Sequence, residues 1–159
     1  LAEAQRFHAA FFKLYGNYRP YHSRLWKRAD REFRENGEVL LETLSGRVRR
    51  LTEDDMRYKS EQDLSKKRPR KTVVYNTPVQ SLASDGLKQS LVLLWPHLKA
   101  LDARLVNLVH DEIIIECRKD VAAEMLGILE DCMVRGMECY LKKVPVVVEA
   151  KIVDSWAGK

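Results

Sequence analysis

Between Asn76 and Pro96 an apolar residue returns every three or four positions, through Val79, Leu82, Ala83, Leu87, Leu91 and Leu94, while Gln80, Ser84 and Lys88 gather on another side. A helix with one buried face turns that spacing into a continuous stripe. The ends agree. Asn76-Thr77-Pro78 offers polar caps and a proline in the first turn, where its missing N–H costs little, and Pro96 closes the run. Asp120 to Tyr140 repeats the pattern with Val121, Met125, Ile128, Leu129, Cys132 and Cys139. Between these helices, Arg104–Val109 and Ile113–Arg118 are short arms rich in branched residues, which predicts a hairpin with His110-Asp111-Glu112 at or near its tip. Val144 to Glu149 reads as a closing strand.

The upstream part predicts the same alternation. Ala2–Leu14 and Tyr21–Asn36 read as helices on either side of the breaker Gly16-Asn17-Tyr18-Arg19-Pro20. In the second, Tyr21, Leu25, Ala29 and Phe33 form one apolar face, and Asn36-Gly37 supplies a stop. Val39–Thr43 and Arg47–Leu51 flank Ser45-Gly46 as a first hairpin, Glu53–Lys71 reads as a loop with one helical turn at most, and Thr72–Tyr75 as extended. The fold class is α+β, an antiparallel sheet of two hairpins and a closing strand packed with amphipathic helices. At 159 residues the chain is expected to form a single domain, helical over 1–37, hairpin and basic loop over 38–71, and core over 72–159.

Charge is unevenly spread. Leu1 to Tyr75 holds 18 Lys and Arg against 11 Asp and Glu, a net +7, whereas Asn76 to Lys159 holds 10 against 12, a net −2. The densest runs, Arg47/Arg49/Arg50 and Lys66/Lys67/Arg68/Arg70/Lys71, repel unless something anionic neutralises them. A phosphate backbone is one candidate, a solvated loop or a targeting tag the other. Apolar runs fall well short of the ~20 residues a membrane span needs, and no secretory leader pattern is visible, so the expected address is intracellular, away from membranes. The odd set Cys117, Cys132 and Cys139 has neither a C-x-x-C pair nor zinc-ligand spacing and reads as reduced thiols.

Within Val109-His110-Asp111-Glu112, side chains on a regular strand alternate faces, so a turn or bulge is needed to bring Asp111 and Glu112 to one site. Asp111 can offer a hard oxygen to Mg²⁺, which commonly takes one or two protein carboxylates plus waters and substrate phosphates. An acidic turn that merely keeps the tip wet is the other reading.

Asn76-Thr77-Pro78-Val79-Gln80-Ser81-Leu82-Ala83-Ser84-Asp85 followed by Val109-His110-Asp111-Glu112 resembles two blocks of family A DNA polymerases, N-x-P-x-Q-G-x-A-x-D and V-H-D-E, in the family's order and spacing. The likeness extends outward through Phe11-Phe12-Lys13-Leu14-Tyr15, Glu42-Thr43-Leu44-Ser45-Gly46-Arg47 and Val144-Pro145-Val146-Val147-Val148-Glu149 to Trp156, covering almost the whole chain. The resemblance implies a palm-type sheet. It makes Asp111 a catalytic-metal carboxylate, Glu112 its acidic neighbour, and His110 a contact near the primer terminus. Asn76 and Gln80 would meet the minor groove, whose acceptors common to all base pairs suit amides that must not read sequence. Arg47 would contact a phosphate. Ser81 stands for the family's Gly, Leu108 for a polar residue, and Thr72 for an Arg whose role Arg70 or Lys71 would take.

The family's upstream carboxylate block and its fingers helix with Lys and Tyr are absent from these 159 residues. Two-metal phosphoryl transfer needs both ligand sets. The resemblance therefore implies the C-terminal part of a polymerase palm. It would bind primer–template DNA and supply part of a Mg²⁺ site, with dNTP bound by the missing region, and would be inactive until the remainder of the polymerase joins it in cis or in trans. Its place would be the nucleoid of a bacterial cytoplasm, or a host cytoplasm if phage-encoded. A non-catalytic nucleic-acid-binding module on the same scaffold is the alternative, and a metal-dependent nuclease using Asp111 and Glu112 a third.

Overall fold

A computed structural model of the chain describes residues 2–52, 55–58 and 67–158. Contacts divide it into two compact units, Leu1–Val79 and Gln80–Lys159.

The first unit opens with α1 (Ala2–Leu14) and α2 (Tyr18–Asn36). Helix α2 begins three residues before the expected start and takes Pro20 into its first turn, where no N–H partner is lost. It ends as expected, with Gly37 at φ 74° donating its N–H to the Phe33 carbonyl at 2.8 Å. The first hairpin pairs β1 (Val39–Glu42) with β2 (Val48–Leu51), antiparallel, from Val39 opposite Leu51 to Glu42 opposite Val48. Gly46 sits at φ 81° in the turn, and the Thr43 N–H closes it on the Arg47 carbonyl at 2.8 Å.

The expected loop over Glu53–Lys71 holds a second ladder, β3 (Met56–Tyr58) antiparallel to β4 (Lys67–Pro69). Positions 53–54 and 59–66, including much of that loop, lie outside the described residues. Ala29, Val39, Leu41, Leu51, Met56 and Val74 form the core of this unit, with Leu25, Phe33, Val73 and Tyr75 packed against it.

Helix α3 runs from Lys71 to Ala100 and overturns three expectations at once. Thr72–Tyr75 is helical, not extended, because a helical turn here carries Val74 into the core, where it is fully buried, and this packing outweighs the strand preference of two valines and a tyrosine. Asn76-Thr77-Pro78 therefore lies in the second turn and does not begin the helix; the Thr77 hydroxyl donates back to the Val73 carbonyl at 2.7 Å. Pro96 does not end it. Val92, whose carbonyl loses its partner at Pro96, is exposed like Pro96 itself, so water can serve that carbonyl and the helix continues to Ala100.

In the second unit, β5 (Arg104–Val109) pairs antiparallel with β6 (Glu112–Glu116), with a register shift between Leu105 and Asn107. After a short 3₁₀ turn, α4 (Ala122–Glu138) packs on α3 and the hairpin. Leu94, Leu98, Ile113, Met125 and Cys132 are the buried centre. The expected closing strand is not formed: 144–149 has no ladder partner among the described residues, and Pro145 lacks the N–H a ladder would use. The α+β antiparallel class holds, as three two-stranded ladders with four α-helices among the described residues.

Candidate nucleic-acid and metal site

Only two residues, His110 and Asp111, separate β5 from β6. So tight a reversal requires positive φ, which a right-twisted hairpin favours, and His110 supplies it at φ 56°. A non-glycine residue held in the left-handed region costs about 1 kcal/mol. It aims the tip: His110 and Asp111 are both exposed. Glu112 is already the first residue of β6, opposite Val109, and half-buried. The pair is thus divided between turn and ladder. Asp111 is a hard carboxylate reachable from solvent and fits one position of a Mg²⁺ shell. No group of three or more His, Cys, Asp or Glu that could hold a metal occurs among the described residues.

On α3, Asn76 and Gln80 are exposed and one turn apart, so they share a side of the helix, as does Thr72 one turn earlier. Lys71 is placed differently. Its ammonium lies over the Trp26 ring, 5.0 Å from the centroid, and five helical residues put it roughly 140° round the axis from Asn76. Arg70 is exposed just before the helix; its backbone is engaged, the N–H with the Asp55 carbonyl at 3.2 Å and the carbonyl with the Val74 N–H at 3.0 Å. One turn on, Tyr75 stacks on His22 at 4.1 Å between ring centroids and 5° between planes, and burial pushes its hydroxyl pKa up.

Arg47 is exposed beside the first hairpin turn. The neighbouring cations have protein partners that the linear runs concealed. Arg49 meets Asp55 at 3.3 Å, Arg50 meets Glu38 at 3.2 Å, and Arg68 meets Asp30 at 2.9 Å, with Arg34 on the same carboxylate at 2.7 Å. Carboxylates from other elements therefore answer part of the repulsion that seemed to call for a polyanion. Exposed pairs of this kind are each worth about 0–1 kcal/mol, so Arg49 and Arg50 could change partners at little cost. Trp26 and Asp30 carried no motif, and Trp26 reaches its hydrogen-bond partner Pro69 across 43 positions, beyond any local pattern.

The family model of DNA polymerase family A matches residues 1–158. The chain belongs to that family. It is 37% identical to DNA polymerase I of Aquifex aeolicus over 158 residues, which is 98% of the chain and 24% of that protein. It is 31% identical to the thermostable DNA polymerase I of Thermus aquaticus, covering 97% of the chain and 17% of that protein. In fold it matches the POL domain of Pol1 from M. smegmatis, solved in complex with DNA primer-template and dNTP, with a TM-score of 0.63 and 23% identity over 85% of the chain and 22% of that domain's chain. This family A segment thus spans about a quarter of the Aquifex relative and less of the other two proteins. No helix among its described residues is long and apolar enough to cross a membrane.

Proposed function

We propose that the chain is the C-terminal palm segment of a template-directed DNA polymerase, binding primer–template DNA and contributing to a Mg²⁺-dependent nucleotidyl-transfer site. The observation that carries this reading is Asp111, exposed at a two-residue tip whose geometry His110 sets, within the family's V-H-D-E block. Asp111 would hold the metal and Glu112 stand beside it as the acidic neighbour. Mg²⁺, when bound, would offset negative charge on the reacting phosphate oxygens. His110 would lie near the primer terminus, Asn76 and Gln80 would meet the minor groove, and Arg47, Arg70 and Lys71 the phosphate backbone. dNTP binding and the remaining metal ligands fall to sequence outside these residues, in cis or in trans. Family membership and the fold likeness support the assignment.

The test is primer extension after the remaining polymerase region is supplied. The wild-type chain should restore Mg²⁺-dependent extension, and Asp111→Ala should reduce it by about a hundredfold or more, since even second-shell metal partners cost ten- to a hundredfold. Equal extension by the two proteins would remove Asp111 from the site. A non-catalytic nucleic-acid-binding module on the same scaffold is the alternative. It predicts salt-dependent DNA binding with no extension in any assembly.

A further inference from the structure

Lys71 is the first residue of α3, where a cation is unfavourable against the helix dipole. A lysine side chain is also flexible, with about 2 kcal/mol of rotamer entropy to lose before it can serve as a fixed contact. The structure answers both problems with one neighbour. Trp26 is half-buried on α2, its indole N–H donates to the Pro69 carbonyl at 3.2 Å, and its ring face lies under the Lys71 ammonium at 5.0 Å, within the ~6 Å range of cation–π attraction. Pro69 is itself buried, so the indole is hydrogen-bonded to backbone in the interior of this unit. Arg68, next along, is tied to Asp30 one turn further along α2.

We infer that Trp26 is a positioning residue for DNA binding, holding Lys71 as a phosphate contact at the start of α3, on a different side of the helix from Asn76. This rests on the proposed primer–template role. Lys71 does not replace the family's Arg at Thr72 on the same strip; it lies about 100° round the helix from Thr72 and 140° from Asn76. That displacement suits a different target. A cation turned that far from the amides is not aimed at base edges, and a phosphate of the sugar–phosphate backbone is the contact left to it. The Trp26 face keeps the ammonium there before DNA arrives. Trp26 touches no DNA in this scheme and acts only through Lys71.

The experiment is a double-mutant cycle on the full 159-residue chain, reading affinity for a labelled primer–template duplex by fluorescence anisotropy across a KCl series. Lys71→Ala should weaken binding and lower the slope of log affinity against log salt by about 0.9, the share of one phosphate. Trp26→Leu, which keeps apolar bulk without a π face, should weaken binding about two- to fivefold in the wild-type background and leave affinity unchanged in the Lys71→Ala background. Trp26→Phe, retaining a ring face, should recover part of that loss, and it runs the same cycle if the leucine variant does not fold. A Trp26 substitution that costs as much without Lys71 as with it overturns the positioning role, as does a Lys71→Ala variant that binds like wild type. Both outcomes leave the primer–template reading standing. A wild-type chain that does not bind the duplex at all takes that reading down, and this inference with it.

Discussion

In the unit from Leu1 to Val79, the core of Ala29, Val39, Leu41, Leu51, Met56 and Val74 is framed by charge: Asp30 is buried between Arg34 and Arg68, and Arg49 and Arg50 each find a carboxylate from another segment. In the unit from Gln80 to Lys159, two helices instead meet almost backbone to backbone. A Cβ built on Gly136 would stand 2.5 Å from the Ser90 nitrogen and 2.7 Å from its Cα, and the Ser90 hydroxyl donates to the Gly86 carbonyl at 2.9 Å. The first unit carries net +7 and the second −2. The contrast teaches where each is vulnerable. Steric contact tolerates no added atoms and ignores salt, whereas ion pairs tolerate reshaping and weaken as salt rises.

The largest expected effect is therefore at Gly136. Gly136→Ala forces a methyl against the backbone of Ser90, which cannot rotate aside, and should cost about 3 kcal/mol. Gly86→Ala presses mainly on the Met137 thioether, 2.6 Å from the new Cβ, and that flexible end can move, so about 1 kcal/mol is expected. Amide hydrogen exchange during denaturant titration checks both. Protection should fall in α4 and the second half of α3 while β1 and β2 keep theirs; equal loss everywhere would mean that the two units unfold as one.

Asp30→Asn attacks the other unit. Removing a buried partner from two arginines costs 3–5 kcal/mol when all groups are buried, but Arg34 is largely exposed and Arg68 partly so, which reduces the expected loss to about 2 kcal/mol. Raising salt should shrink the difference between Asp30→Asn and wild type, and leave that between Gly136→Ala and wild type unchanged. A salt-independent Asp30 effect would assign its role to packing.

Parts of both units were legible in sequence. In the second unit the β5–β6 hairpin, the α4 helix and the polar tip at His110-Asp111 follow from local periodicity and turn chemistry, as do the Gly37 stop and the β1–β2 hairpin in the first, and the motif residues Asn76, Gln80 and Asp111 are exposed. What local reading lost was decided by distant contacts. Val74 reaches the core only as part of a helix, so a segment that reads as extended became the first turn of α3. The β3–β4 ladder joins Met56 to Pro69 across a charged stretch with no alternation to announce it. The failed closing strand shows the converse, since Val144–Glu149 has strand composition but no partner among the described residues. Likewise, nothing near Lys71 in sequence foretells Trp26.

The smallest expected difference between the units lies at alkaline pH. Cys132 is buried in the second core, and burial first, with nearby Asp131 second and Arg135 opposing, pushes its thiol pKa above the ordinary 9.0. Tyr75 packs on the first core, and burial pushes its hydroxyl above the ordinary 10.0. Both shifts are upward, so the unfolded chain loses each proton before the folded one does. The stability each protonated group contributes is complete below its unfolded value and is lost as pH rises through its folded value. The losses should be staggered: α4 amides begin to lose protection above about pH 9, and those near the start of α3 only above about pH 10. Cys132→Ala should flatten the first step and leave the second, and Tyr75→Phe should do the reverse. If both steps survive Cys132→Ala unchanged, the alkaline weakness of the second unit belongs to a group other than its buried thiol.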